Sequence, residues 1–448
     1  MWVVWAFIIT LLFPTETSFF IGSLRLNPYR VWLILSLIPC CLAMVRGRAG
    51  PLIAADALML AFVAWATLAH VYNDGVGEAV EPSGMLFIET MLPYAIARCF
   101  IRSRDDFTLM VNATFAVVAL LLPIAVVEAV KGFYLKTAIF GTVAVHMTEE
   151  QMRMGMHRAF TVFDHPILFG VFAASIFGVV MYCGAWRRYF IAGLAKFAVT
   201  MGCVFFSLSS GPMLAMMSQI ILALWERLTR AVERRWLILG GLFAGAYVFI
   251  DIFSNRTPFV VIASYLSLNA RTATGRAEIW NWAMFNIGKR PLLGLGSGQW
   301  EHQLDTDSLD AFWAFLGVFY GLPGMLFMIA AVVVLAVQIG RTRLIGEVAS
   351  CRTGWMISLI GLAVAGIGVH YWGAIYAWFT FMLGSGAWML SAAETAPAAD
   401  AAEVVPAAVP SASAPVLSPA FITPPPPRFL GGDTASVASG EGRGSETV

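Results

Sequence analysis

Apolar runs about as long as a bilayer is thick recur along this chain, and they decide most of what it can fold into. A spanning helix needs roughly 20 mostly apolar residues. Runs of this kind cover Trp2–Gly22, Val31–Val45, Leu52–Val71, Met85–Ile101, Phe107–Val130 and Pro166–Cys183. They continue at Tyr189–Phe206, Pro212–Trp225, Trp236–Phe253, Ala311–Ile339, Trp355–Val369 and Trp372–Leu390. The pattern predicts an all-α, polytopic integral membrane protein with roughly 12 transmembrane helices. The first run, interrupted at Pro14, is the weakest of them. Composition agrees, with 59% hydrophobic and 12% charged residues against about 45–50% and about 25% in soluble proteins. Met1–Phe13 carries no Lys or Arg, and no small-residue cleavage pattern follows it. It is expected to be a retained helix, not a cleaved signal peptide.

Lys and Arg in the short loops set the orientation. Every second loop is basic: Arg46 and Arg48, then Arg102 and Arg104, then Arg187 and Arg188, then Arg227 through Arg235, then Arg341, Arg343 and Arg352. The intervening loop Tyr72–Gly84 carries Asp74, Glu78 and Glu81 with no Lys or Arg. Both termini are therefore expected in the cytoplasm, and the two long loops, 131–165 and 254–310, on the outer side. Arg25 and Arg30, in the first outer loop, run against the rule.

The stretch 392–448 changes character. It is rich in Ala, Pro, Ser and Gly, includes Pro424–Pro427, and lacks the large apolar residues needed for a core, so a disordered cytoplasmic tail is expected after a membrane domain at 1–391. The formal net charge of +1 excludes a basic nucleic-acid binder. The six cysteines form no C-x-x-C pair and mostly sit in apolar runs, where a thiol is a small buried hydrophobe. No fixed-period repeat and no pair of Gly/Pro-broken inverted helices is visible, which counts against many transporter designs.

Chemistry is expected in the two long loops. In 254–310, Tyr265, Trp280, Trp282, Phe285 and Trp300 stand among charged residues, as in a cap lying at a membrane interface. Thr274-Gly275-Arg276-Ala277-Glu278 has the form of a helix start, with Lys289 and Arg290 near the end before Pro291. That would put Arg276 beside free backbone N–H groups, a design for binding phosphate, with Arg271 near enough to join it. The bland alternative is an arginine meeting lipid headgroups. In 131–165, Arg158, Asp164 and His165 stand at a membrane boundary, where charge is costly unless solvated or used; an interfacial anchor is the competing reading. Ser209-Ser210-Gly211-Pro212 reads only as a turn. Gly294-Leu295-Gly296-Ser297-Gly298 lacks the ending of a phosphate loop, and His146-Met147-Thr148-Glu149-Glu150 has a single histidine, so no metal site is expected from it.

Taken in order, three blocks resemble the O-antigen ligase and Wzy-type polymerase superfamily of bacterial envelope enzymes. The first is Arg158-Ala159-Phe160 with His165-Pro166-Ile167-Leu168-Phe169-Gly170. The second is Ser207-Leu208-Ser209-Ser210-Gly211-Pro212. The third runs from Gly275-Arg276-Ala277-Glu278-Ile279-Trp280 through Arg290-Pro291-Leu292-Leu293-Gly294 to Gly321-Leu322-Pro323-Gly324. The resemblance implies a GT-C-like glycosyltransferase of the bacterial inner membrane with a periplasmic active site. It would take a glycan from undecaprenyl pyrophosphate and need no metal and no other cofactor. Membrane lipid, a polysaccharide chain-length regulator and export proteins would be its partners, and nucleic acid would not. Arg158 and Arg276 match the family's outer-face arginines, and Arg271 matches less closely. Ligases show His-Asn just before the span that follows the large loop. Here that place reads Asp307-Ser308-Leu309-Asp310-Ala311-Phe312-Trp313, closer to the Asp-containing version of exopolysaccharide polymerases.

These readings join in one expected chemistry. An acceptor hydroxyl attacks an anomeric carbon while arginines neutralise the departing pyrophosphate and a side chain takes the proton. Asp310 is the first candidate base, with His165 and Asp164 behind it. The alternatives are a ligase that transfers glycan to a lipid core, a transporter or flippase of a lipid-linked glycan, and a peptidoglycan-type glycosyltransferase. A flippase would carry midplane charges, and the runs here hold few beyond Glu89, Glu128 and Lys196.

Overall fold

The computed structural model describes residues 1–22, 24–141, 152–183, 190–254, 270–304 and 308–392. The 392–448 tail beyond its first residue, the His146–Glu150 stretch and the aromatic Tyr265 lie outside the described residues.

The protein is mostly helical, and its apolar helices fit an all-α membrane protein. Among the described residues six helices are long and apolar enough to cross a bilayer. They are α2 (Pro28–Val45), α3 (Ala54–Asp74), α5 (Arg104–Lys131), α11 (Arg235–Phe253), α13 (Phe312–Arg341) and α14 (Gly346–Ala365). Between them stand α4 (Val76–Phe100), α6 (Leu135–Phe140), α7 (Pro166–Ser175), α8 (Phe177–Tyr182), α9 (Phe190–Phe206), α10 (Ser210–Leu228) and α12 (Ala270–Lys289), and after them α15 (Ala374–Gly384) and α16 (Trp388–Ala392).

The first apolar run is not one long helix. Helix α1 covers only Trp2–Thr10, roughly 14 Å of rise at 1.5 Å per residue, about half a bilayer core. Pro14 ends the apolar stretch, a single 3-10 turn covers Thr15–Thr17, and strands β1 (Phe19–Ile21) and β2 (Leu24–Leu26) pair antiparallel. Val3, Val4, Phe7 and Ile8 are nonetheless buried, so α1 is packed into the bundle.

Close helix packing uses glycine where a side chain would collide. A Cβ on Gly178 of α8 would lie 2.5 Å from the Gly354 carbonyl of α14, and one on Gly170 of α7 would lie 2.5 Å from Ser207 Oγ and 2.7 Å from Pro212. The second contact seats α7 on the turn that leads into α10. At the other extreme, α11 has no buried residue at all.

Helix α13 carries the kink that anchors the large loop. Gly321 sits at φ 72, ψ 175 within it, a backbone state that side chains avoid. The gap admits the Pro291–Leu292 carbonyls: Leu322 N donates to Pro291 O at 2.7 Å, and a Cβ on Gly321 would sit 2.0 Å from Leu292 O. Leu295 N and Gly296 N donate to the Val318 and Phe319 carbonyls at 3.0 Å each. The glycine-rich segment 294–298 is thus a strap across α13, not a phosphate loop. Helix α12 then lays Ile279, Ala283 and Ile287 against Leu309, Ala311, Ala314 and Val318, with Trp300 closing a small core of its own. The described part of the aromatic loop, 270–304, is folded against the start of α13.

Candidate active site

The turn Ser207-Leu208-Ser209-Ser210-Gly211-Pro212 joins α9 to α10, and it gathers the candidate residues. Arg158 Nη2 donates to Ser209 Oγ at 2.8 Å, and Arg276 Nη2 donates to Ser210 Oγ at 2.9 Å. Consecutive α-carbons are about 3.8 Å apart, so two arginines separated by 118 positions in sequence (276 minus 158) are held by neighbouring hydroxyls. A third, Arg153, donates to the Leu208 carbonyl of the same turn at 3.0 Å. Leu208 takes φ 44, a left-handed conformation that costs a leucine about 1–3 kcal/mol and persists only when its surroundings enforce it.

The Arg158 segment is fixed on both sides. His157 N donates to Ala129 O at 3.0 Å and Ala159 N to Phe206 O at 2.9 Å. Phe160 N and Thr161 N both donate to Glu128 Oε2, at 2.9 and 2.8 Å. Glu128, fully buried near the end of α5, therefore shapes this loop. Truncating it strands two buried N–H groups, each worth about 1–3 kcal/mol. Glu128→Ala is expected to lower the thermal midpoint of the purified protein and to remove activity along with it. An unchanged midpoint would show that the loop holds its shape without the carboxylate.

Arg276 lies between two glycines. A Cβ on Gly368 would stand 2.9 Å from Arg276 Nε, and one on Gly211 would stand 3.6 Å from Arg276 Nη2 and 2.6 Å from Val369. Gly368 must stay bare for the guanidinium to fit, whereas Gly211 is kept bare by Val369. Trp280, one turn along α12, donates to Ile367 O at 2.8 Å and fixes the same approach. The helix start expected at Thr274 or Gly275 is corrected here: α12 is already formed at Ala270. Arg276 is well inside the helix and gains nothing from free N–H groups at its end. Ala270 and Ala273 favour helix, and that carries the helix past the local capping signal. Arg271 lies five residues before Arg276 on the same helix; its side chain is outside the described residues.

Asp310 completes the cluster. Ser308 Oγ donates to Asp310 Oδ1 at 2.5 Å. Burial raises the Asp310 carboxyl above its usual range, opposed by the Ser308 hydrogen bond and the Arg276 charge. The reciprocal effects appear on the arginines. Burial lowers Arg276, Asp310 pulls it back up, and Arg153 pushes it down further. Burial, with Arg153 adding to it, brings Arg158 down to about 10. Arg158 Nε is buried without a hydrogen-bond partner. Among the described residues none of the three arginines has a carboxylate within ion-pair distance. Two guanidiniums that Arg153 disfavours, one of them also feeling the Asp310 carboxylate, make a site that an anion would stabilise.

The other two candidate bases are engaged elsewhere. Asp164 Oδ1 accepts from Thr15 Oγ1 at 2.6 Å and from Lys136 Nζ at 3.0 Å, and Lys136 also pairs with Glu16 at 3.0 Å. These groups line a separate cavity of about 520 Å³ with Arg25 and Arg30. His165 is the N-cap of α7, its Nδ1 accepting from Ile167 N at 3.0 Å. Among the described residues Asp164 shares no hydrogen-bond partner with the arginines. Sequence reasoning passed over Arg153, although an arginine in a loop assigned outside goes against the charge rule and could have flagged it. It saw Ser209 and Ser210 as a turn and Glu128 as a stray charge, since nothing local shows what either would face. No family model matches the chain, and no curated protein matches it.

Proposed function

We propose that this protein is a membrane glycosyltransferase that polymerises undecaprenyl-pyrophosphate-linked oligosaccharides into an exopolysaccharide or O-antigen at the periplasmic face of the bacterial inner membrane. The observation that carries this reading is the convergence of Arg158 and Arg276 on consecutive serines, with Asp310 coupled to Arg276. A pyrophosphate is the anion that suits two adjacent planar donors. In the reaction an acceptor hydroxyl oxygen forms a bond to the donor's anomeric carbon. The bond from that carbon to the phosphate oxygen breaks, and the electron pair leaves with the pyrophosphate. Arg158 and Arg276 neutralise the charge that builds there, and ionised Asp310 accepts the hydroxyl proton. The order of the three blocks that resemble the O-antigen ligase and polymerase superfamily supports the same reading, and the Asp-containing stretch before α13 favours polymerase over ligase.

The test is the set of lipid-linked glycans that accumulate in a deletion strain. Single repeat units on the lipid are the expected result. Long polymer lacking its final acceptor would make the protein a ligase, and repeats trapped on the cytoplasmic leaflet would make it a flippase.

The reading also requires the arginine turn to lie outside, in a chain of roughly 12 spans with cytoplasmic termini. A reporter fused after Gln299 is expected to read periplasmic and one fused after Leu390 cytoplasmic. The reverse pattern would remove the lipid-linked donor from reach and end the proposal.

A further inference from the structure

The 366–373 segment, which packs on Arg276 at Gly368, also lines a cavity of about 250 Å³. Its walls include Phe312, Tyr320, Trp372, His370, Arg30 and Glu89. The same segment forms both sites: a Cβ on Gly368 would stand against Arg276, while His370, two residues on, faces the cavity. Phe312 N donates to Val369 O at 3.0 Å, so the helix that begins just after Asp310 also contributes to the wall.

The lining has two characters. Flat aromatic rings make up much of it, with Phe312 stacked on Tyr371 at 4.8 Å and His370 stacked on Trp372 at 5.8 Å. Against them stands a neutral polar group. Arg30 Nε donates to Glu89 Oε1 at 2.8 Å, and Tyr29 Oη donates to the same oxygen at 2.5 Å. Because Arg30 and Glu89 cancel in charge, a phosphate has little to gain here, and an acyl chain would bury an ion pair against hydrocarbon. His370 packs on Phe315 at 4.2 Å, and its Nδ1 is buried with no hydrogen-bond partner. Burial lowers the His370 imidazole to about 4, which keeps it neutral near pH 7 and able to accept as well as donate.

We infer that this cavity binds a saccharide ring, its C–H face on the aromatic wall and its hydroxyls on His370, Glu89 and Arg30. A sugar has both faces, and a concave, mostly apolar pocket with a few convergent polar groups is how such ligands are held. The inference rests on the glycosyl-transfer reading, which needs a sugar held beside the pyrophosphate site. The ring could belong to the acceptor chain or to the donor itself.

The full chain reconstituted in nanodiscs separates these cases. The probes are short oligosaccharides from partial acid hydrolysis of the host strain's exopolysaccharide, and lipid-linked glycan extracted from the deletion strain. Binding is read from tryptophan fluorescence. Wild-type protein is expected to bind saturably. His370→Phe keeps the stack between Phe315 and Trp372 but removes the ring nitrogens, and it should weaken binding about tenfold. Glu89→Gln should weaken it as well. Binding of the free oligosaccharide that survives Arg276→Ala assigns the cavity to the acceptor. Binding of the lipid-linked glycan alone, lost in Arg276→Ala, assigns it to the donor sugar. Wild-type binding by both His370→Phe and Glu89→Gln, or no binding of either probe to wild type, overturns the inference. Normal polymer from Arg276→Ala and Asp310→Asn, with oligosaccharide binding still dependent on His370, would instead fell the assigned anion site and base and leave the saccharide site standing.

Discussion

Arg276→Ala is expected to cut polymer synthesis by about 100- to 1,000-fold, the loss seen when one preorganised donor to a developing negative charge is removed. The protein should still reach the membrane, because α12 is built by Ile279, Ala283 and Ile287 against α13 and does not need the guanidinium. Arg276→Lys should recover little. The ammonium keeps the charge but loses the planar fork, and it cannot both meet Ser210 Oγ and pack against Gly368 as the guanidinium does. Polymer yield in a complemented deletion strain, normalised to protein on a blot, measures both variants. Full yield from Arg276→Ala would show that the cluster on the serine turn is structural and binds no donor.

Asp310→Asn should abolish polymerisation, since an amide cannot take the proton. The pH profile gives a sharper reading. A base works only when ionised, and burial raises the Asp310 carboxyl. Activity should therefore begin to fall at a pH above the usual carboxylate range as the medium is acidified. Ser308 and Arg276 both oppose the rise, so Ser308→Ala should move the acid limb to still higher pH while leaving the plateau rate close to wild type. Initial rates in inverted or permeabilised membrane vesicles across the acid range provide the measurement. An acid limb that stays put in Ser308→Ala, or an active Asp310→Asn, would take the role of base away from Asp310 without touching the anion site.

The apolar runs disclosed the helices because hydrocarbon exposure is a property of each run by itself. They failed at Trp2–Gly22, where composition is apolar but Pro14 and Thr15-Glu16-Thr17 end the helix after Thr10. Capping chemistry misled in the same way at Thr274 and Gly275, because a helix already propagating from Ala270 does not stop for a good cap. Arg158 was legible as a charge at a membrane boundary, and Arg276 as an arginine beside a helix signal. What they bind to was not, since Ser209 and Ser210 acquire meaning only when α9 and α10 bring them between two distant loops. Asp310 could be placed first by its position before α13, with Asp164 and His165 behind it, and nothing local showed that Lys136, Thr15 and the backbone of Ile167 would engage those two. His370 left no trace in sequence beyond being a histidine at the edge of a run.

Helix α11 offers a different lesson. Among the described residues none of Arg235–Phe253 is buried and, apart from Arg235 beside Glu226, most of its side chains are exposed, so they answer to whatever surrounds the helix more than to any particular partner. Under random mutagenesis such a helix should behave like a text in which only the alphabet is enforced. Leu, Ile, Val and Phe should interchange freely at Leu237, Leu242, Val248 and Ile252, and a charge at any of them should be rejected. The same exchanges at Phe172 or Trp378, buried in the bundle, would be judged by shape. A deep substitution map would therefore show a band of near-neutral drift through the middle of the sequence, ending abruptly where the cap helix and Arg276 begin.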